Sequence, residues 1–174
     1  AIGKGNADKR IDVIATMITM NGTVEDLKEL ELTYSPMFST AKDVVNMAAL
    51  VATNILENRF KQIHVDEVRA LVEKDAYILD VREVGEFANG HIKNAVNIPL
   101  SELRERMNEI PKERTVYVHC RSAQRSYNAV MALLHNGYEN VYNVSGSFLG
   151  ICLYEYFNDQ TKNREPIVTQ YNFR

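Results

Sequence analysis

No tryptophan occurs in this sequence, and cysteine is confined to two positions, Cys120 and Cys152. Two cysteines supply neither a disulfide framework nor a metal-ligand cluster. The four histidines are scattered, without the spacing of a zinc hydrolase helix, and His64 and His135 read as solvated or core residues. No apolar run is long enough for a membrane span, and the N-terminus lacks the apolar core of a signal peptide. Neither charge sign is in excess by much: 23 acidic and 20 basic residues are interspersed to a net −3, with no basic stripe interleaved with aromatics. That balance excludes a nucleic-acid footprint. No repeat or low-complexity tract appears. What remains is 45% hydrophobic and 25% charged, the composition of a globular chain that 174 residues would fold as one domain, or one domain and an appendage. Thiols outside any disulfide framework point to a reducing cytoplasm.

The informative stretch runs from Thr115 to Ser126. Thr115-Val-Tyr-Val-His119 has the composition of a buried strand. From Ala123 to Asn136 the spacing turns helical, with Tyr127, Val130, Met131 and Leu134 on one face and Asn136-Gly137 as the stop. Cys120 thus sits where a strand ends and a helix begins. The amides of Arg121, Ser122, Ala123, Gln124, Arg125 and Ser126 are the unpaired donors of that start. With the positive charge of Arg121 and Arg125 they favour a thiolate, a nucleophile that can also hold a charged sulfur adduct. The plain alternative is a small apolar residue closing a core strand. His119 precedes the nucleophile, so its side chain is expected on the opposite sheet face and not as the base. Cys152, among apolar residues of a later helix, reads as inert.

Taken in order, Ala1-Ile-Gly-Lys-Gly-Asn-Ala7 reads as the exit from a strand whose earlier part is missing, and Gly3 and Gly5 are too few for a nucleotide loop. Asp8 is expected to cap a helix with Ile11, Ile14, Ala15 and Ile18 on one face, ended by Asn21-Gly22. Thr23-Val-Glu-Asp26 has capping-box form and opens a short helix. Pro36 makes Tyr34 to Phe38 a loop. Thr40-Ala-Lys-Asp43 is a second box-like start, for a helix burying Val44, Met47, Ala48, Val51 and Ile55. Three helices without a strand, residues 1–58, cannot bury their own apolar faces. After a linker at 59–61, strands and helices alternate from 62 to 157. Gln62-Ile63 is an edge strand, His64 to Lys74 a helix, Tyr77 to Val81 a central strand. A short helix ends near Asn89-Gly90, Ala95 to Ile98 is a strand, and Ser101 caps a helix carrying Leu103, Met107 and Ile110. Val141 to Val144 is the last strand, and a final helix holds Ile151, Leu153 and Tyr156. Residues 158–174 read as a polar, irregular tail whose Tyr171 and Phe173 suit a partner surface. The alternation calls for an α/β fold, a parallel sheet with helices on both faces.

Asp80-Val-Arg-Glu83, Glu86-Phe87, Gly90-His-Ile92 and Ala95-Val-Asn-Ile-Pro99, followed in order by the cysteine loop, resemble the rhodanese (thiosulfate sulfurtransferase) family over Gln62 to Phe157. The Cys120-x4-Arg125 spacing fits sulfur; cysteine phosphatases of related form use a wider Cys-x5-Arg loop. The resemblance implies a persulfide carried on Cys120 and held by the loop amides, with thiosulfate or a coenzyme A persulfide as donor. Asp80 and Arg82, at the end of a neighbouring strand, are expected to face Cys120, Asp80 accepting hydrogen bonds from the loop. Arg82 is expected to pair with Glu86, and Arg125 is either an anion-steering group or the partner of Asp80 or Glu86. The family usually has Gly-Gly and often tryptophan near the last turn; here the pair is Gly146-Ser147.

Residues 1–58 carry a second resemblance, through Asp8-Lys-Arg-Ile-Asp12, Leu30-Glu-Leu-Thr-Tyr-Ser-Pro36 and Ser39-Thr-Ala-Lys-Asp43. They are similar to the end of the dimerisation domain of FAD-dependent pyridine nucleotide–disulfide reductases, in the coenzyme A-disulfide reductase branch. Some members of that branch end in a rhodanese domain. This implies the C-terminal piece of a fusion that dimerises through residues 1–58. FAD, NAD(P)H and coenzyme A would be bound by the larger protein, with Tyr34, Lys42 and Asp43 reaching a coenzyme A site across the dimer. Met37 and Val44 depart from prolines usual there, and Tyr34 and Phe38 otherwise read as interface packing. The alternative to a sulfurtransferase turning over alone is a sulfur-delivery and dimerisation module for the reductase.

Overall fold

Short β-branched runs separated by segments of helical spacing give this chain its architecture, and the computed structural model describes residues 6–37 and 40–173. Gly3, Gly5, Phe38 and Ser39 lie outside the described residues. The chain divides into two compact units, Ala1–Arg59 and Phe60–Arg174.

The first unit holds α1 (Ala7–Thr19), α2 (Val24–Glu29) and α3 (Val44–Leu56). The Thr23/Asp26 capping box forms as expected, the Thr23 hydroxyl accepting from the Asp26 amide and the Asp26 carboxylate from the Thr23 amide. Two starts differ from expectation. Asn6, not Asp8, stands at the cap of α1, leaving Asp8 in the first turn. The cap of α3 is Asp43 and not Thr40, because Asp43 accepts from Val45 N while the Asn46 side chain accepts from Asp43 N. That shift decides which face of α3 is buried. Asn46 Nδ2 reaches the carbonyls of Leu27, Lys28 and Leu30, satisfying the open end of α2. The helix is therefore rotated to bury Val45, Asn46, Ala49 and Thr53, and the expected core positions Val44, Met47, Ala48, Val51 and Ile55 are exposed.

The second unit contains β1 (Lys61–Ile63), a 3-10 turn, α4 (Val68–Glu73), β2 (Tyr77–Asp80), α5 (Val84–Ala88), β3 (Val96–Asn97), β4 (Val116–His119), α6 (Gln124–His135), β5 (Val141–Val144) and α7 (Ser147–Lys162). All five strands are parallel, in the order β1-β5-β4-β2-β3, with β1 at an edge as expected. Side chains alternate across a strand, so the sheet sorts its residues into two cores. Leu79, Val81, Val116, Val118 and Val141 pack with Ala129, Val130 and Leu133 of α6. On the other face Ile78 and Val144 pack with Val68, Phe148 and Ile151 of α4 and α7. The α/β architecture is the one expected, with helices on both faces.

Two local expectations fail for physical reasons. Residues 101–106 form successive turns, with only Met107–Glu109 as a 3-10 helix, so Ser101 caps no α-helix. Leu103 and Ile110 reach the α6 core from turns closed largely by i→i−3 bonds. The last helix also continues past Asn158 to Lys162, and the residues after it fold back, with Ile167 and Val168 buried and Val168 bridged to Ile92. Tyr171 stacks edge-on with Tyr156 and donates its hydroxyl to Asp159.

The fold-back rests on a buried charge cluster. Glu155 and Asp159 of α7 are 0% and 4% exposed, and Arg69 of α4 and Arg164 pair with both. Arg164 Nη2 reaches Glu155 Oε2 at 3.0 Å and its Nε reaches Asp159 Oδ1 at 3.1 Å. Removing one cation strands buried carboxylate charge, which costs a few kcal/mol. Arg69→Met should lower the stability of the second unit by about 3 kcal/mol in urea unfolding; a midpoint within error of the parent would show that Arg164 alone neutralises the pair.

Candidate active site

Cys120 follows the last residue of β4, on the face shared by Val116 and Val118, and is 1% exposed. Ala123 stands at the cap of α6 with φ 77°, a left-handed conformation costing about 1 kcal/mol or more in a residue with a Cβ. A left-handed residue before a helix turns successive amides to one side, making an anion-binding concavity. Burial acts most strongly on the Cys120 thiol and pushes it up. The Ser126 amide and hydroxyl and the amides of Ser122 and Ala123 together outweigh burial, holding the thiol below its ordinary range. These hydrogen-bond donors favour thiolate.

The β4–α6 loop is tied to the turn that starts α7. Phe148 N donates to Cys120 O at 3.0 Å and Leu149 N to Arg121 O at 3.1 Å. The Cys120 amide donates to Ser147 Oγ at 3.1 Å, and that hydroxyl lies 4.0 Å from Cys120 Sγ. Ser126 Oγ is 2.6 Å from Asn143 Oδ1 and 3.5 Å from Ser147 Oγ. Ser147 and Asn143 were not singled out as site residues. Their signals were a serine where a second glycine was expected and an asparagine inside the apolar run of β5.

The other predicted residues fall into separate groups. Glu86 on α5 holds Arg125 in a two-bond ion pair, Nη1 to Oε2 at 2.6 Å and Nη2 to Oε1 at 2.8 Å. The pair draws the Glu86 carboxyl below its ordinary value and raises Arg125. Ser122 and Gln124 are exposed. The Arg121 side chain is half-buried and forms no ion pair among the described residues.

Asp80 and Arg82 correct an expectation. They do not face Cys120, because Asp80 shares the face of Ile78 and not that of Val116 and Val118. Arg82 pairs with Asp80 and not with Glu86: its Nη2 reaches Asp80 Oδ2 at 2.6 Å and Gly90 O at 2.9 Å, and its guanidinium lies 4.0 Å over the Phe148 ring. Asp80 accepts from the backbone and side chain of Arg82 and from no loop amide among the described residues. His119 is fully buried beside them, its Nε2 3.5 Å from Asp80 Oδ2, and burial keeps it neutral below its ordinary range. It sits on the face away from Cys120, as its strand position required. Cys152 is fully buried with its thiol pushed up by burial, an unreactive state.

Tyr34, Lys42 and Asp43 belong to the first unit. Tyr34 and Lys42 are exposed, whereas Asp43 caps α3 and pairs with Arg10 at 2.8 Å, so its carboxylate is already committed. Among the described residues no group of three or more histidine, cysteine or acidic side chains could hold a metal ion, and no helix is long and apolar enough to cross a membrane.

A parallel sheet that delivers a thiolate-favouring cysteine into a ring of amides defines the class: an α/β domain with an activated thiol. A family model described as Rhodanese-like domain matches residues 64–153. The chain is 41% identical over 100 residues to the uncharacterized protein YqhL of Bacillus subtilis, covering 57% of this chain and 79% of that protein. It is 40% identical over 76 residues to a sulfurtransferase of Allochromatium vinosum, covering 44% and 71%. Among solved structures it is similar to reduced Bacillus anthracis CoADR-RHD, with 45% identity and a TM-score of 0.77 over 81% of this chain. It is also similar to a NAD-dependent persulfide reductase from A. fulgidus, with 38% identity and a TM-score of 0.74 over 84% of this chain. Both matches reach beyond the second unit into the helical one, yet the chain spans only 25% and 26% of those two proteins. The chain belongs to the rhodanese-like family, and its second unit is a sulfurtransferase-type domain.

The Arg125–Glu86 pair predicts a pH dependence. The folded Glu86 carboxyl lies below its ordinary 4.5. Its contribution is full above that value and is lost as pH falls through the lowered folded one. About a third of each side chain is exposed, so solvent screens the pair to about 1 kcal/mol. Glu86→Gln should reduce stability by that amount at pH 7 and converge with the parent in strong acid; a gap that persists there would exclude the ion pair as its source.

Proposed function

We propose that this chain carries sulfur as a persulfide on Cys120. The observation that carries the reading is the Cys120 thiol held low by amides of its own loop despite nearly complete burial. The Cys120 thiolate attacks the outer sulfur of thiosulfate, forming the new S–S bond as sulfite leaves. From a persulfide donor such as that of coenzyme A, the leaving group is the donor thiolate. The loop amides hold the negative outer sulfur as an oxyanion hole holds its charge. An acceptor thiolate or cyanide then takes that sulfur and returns Cys120 as thiolate, so neither step needs an external oxidant.

A phosphatase reading is weaker, because the arginine that would clamp a phosphate, Arg125, is committed to Glu86. The similarity to CoADR-RHD and to a NAD-dependent persulfide reductase supports placing the chain in a larger flavin- and nicotinamide-dependent protein. There the sulfur on Cys120 would be delivered to, or received from, a reductase using FAD, NAD(P)H and coenzyme A. The exposed α3 residues Val44, Met47 and Val51 support dimerisation through the helical unit. Tyr34 and Lys42 fit contacts to an anionic coenzyme, and Asp43 does not.

Intact mass after exposure to thiosulfate or coenzyme A persulfide should show a gain of one sulfur that Cys120→Ala lacks. No gain with either donor, or an equal gain in the alanine variant, would remove Cys120 as the carrier.

A further inference from the structure

The turn between β5 and α7 contains a residue that local sterics disfavour. Gly146 and Ser147 are both left-handed, with φ 78° and φ 48°. Glycine adopts that conformation freely, whereas Ser147 brings a Cβ into it. The strain places a fully buried hydroxyl against the reactive cysteine. Its oxygen accepts the Cys120 amide, and its single proton has three acceptors in reach: Val144 O at 3.2 Å, Ser126 Oγ at 3.5 Å and Cys120 Sγ at 4.0 Å.

The neighbouring Ser126 hydroxyl also helps hold the Cys120 thiol low. Ser126 has one proton, however, and Asn143 Oδ1 competes for it at 2.6 Å. When Cys120 is a thiol, its sulfur is a weak acceptor, and the Val144 carbonyl holds the Ser147 proton. When Cys120 is a thiolate, the charged sulfur becomes the best of the three acceptors.

We propose that Ser147 is a positioning residue that holds the Cys120 thiolate by turning its hydroxyl proton from Val144 O to the cysteine sulfur. The loop amides receive the sulfur on the side of α6, and Ser147 closes it from α7. In a Cys120 persulfide the charge moves from Cys120 Sγ, the atom the Ser147 hydroxyl faces at 4.0 Å, to the outer sulfur. Ser147 therefore stabilises the free thiolate more than the loaded form and favours release of sulfur to the acceptor. This inference rests on the sulfur-carrier reading only for its second half; the hydrogen bond to the thiolate stands without it.

The test is the pH dependence of iodoacetamide alkylation, read by mass on the Cys120 peptide of the full chain, for the parent, Ser147→Gly and Ser147→Ala. Ser147→Gly relieves the strained turn and so retains the fold if Ser147→Ala does not. Both variants should move the alkylation midpoint upward by up to about one pH unit, about tenfold less thiolate below it. Ser147→Gly should do so without a lower melting temperature. A merely structural serine would change melting and leave the midpoint where it was, and that result overturns the proposal. Sulfur uptake by the parent, measured beside it, reports separately on the carrier reading.

Discussion

Two turns at the same end of the sheet hold each other in place, and the site depends on that joint. The loop after β4 has a left-handed alanine and no glycine, and by itself it would not keep its amides aimed at one point. The first backbone amides of α7 donate to the carbonyls of Cys120 and Arg121, so the loop borrows its rigidity from the neighbouring strand–helix turn. Strand order makes this possible: β4 and β5 are adjacent and parallel, with Val118 opposite Asn143. In an open parallel sheet the carboxyl ends of the strands are where ligands are met. Here two of those ends are joined by hydrogen bonds.

The sheet's alternation then separates chemistry from scaffolding. On one face Cys120 stands over the α6 core. On the other, Asp80, Arg82 and His119 form a buried knot under Phe148 whose polar atoms are used mostly on one another and on Gly90 and Cys120 carbonyls. Buried charges of this kind are tolerated when paired and hydrogen-bonded. The knot fixes the ends of β2 and β4 relative to each other and holds Asp80 and His119 on the face away from the thiol. The groups that hold the Cys120 thiol low are donors to its charged form.

The sequence made the alternation of strands and helices legible, because β-branched runs and helical spacings were well separated. Cys120 and its amide loop were legible for the same reason: a strand ending and a helix beginning in six residues leaves little choice of geometry. Pairings were harder. Arg125 with Glu86 was one of two options, and Arg82 was assigned to the wrong carboxylate because sequence proximity on α5 said nothing of the sheet face. The face of α3 was misread for a similar reason. Its apolar stripe suggested burial of Val44 and Met47, but the need of α2 for a donor at its last carbonyls drew Asn46 inward. Ser147 was noticed only as a departure from glycine; its contact with the cysteine depends on strand order, which no local pattern carries.

The near-complete burial of Cys120 has a consequence for regiochemistry. A persulfide offers two electrophilic sulfurs. Attack at the outer one passes sulfur on, whereas attack at the inner one expels hydrosulfide and leaves the enzyme trapped as a mixed disulfide. Access and leaving group decide between them. With Cys120 1% exposed and its loop bonded to the start of α7, a persulfide there would offer an incoming thiolate little approach to its inner sulfur. The outer atom of the proposed persulfide would be the one it can reach. Burial of the cysteine would then set the productive direction of bond cleavage by geometry, without discrimination between acceptors.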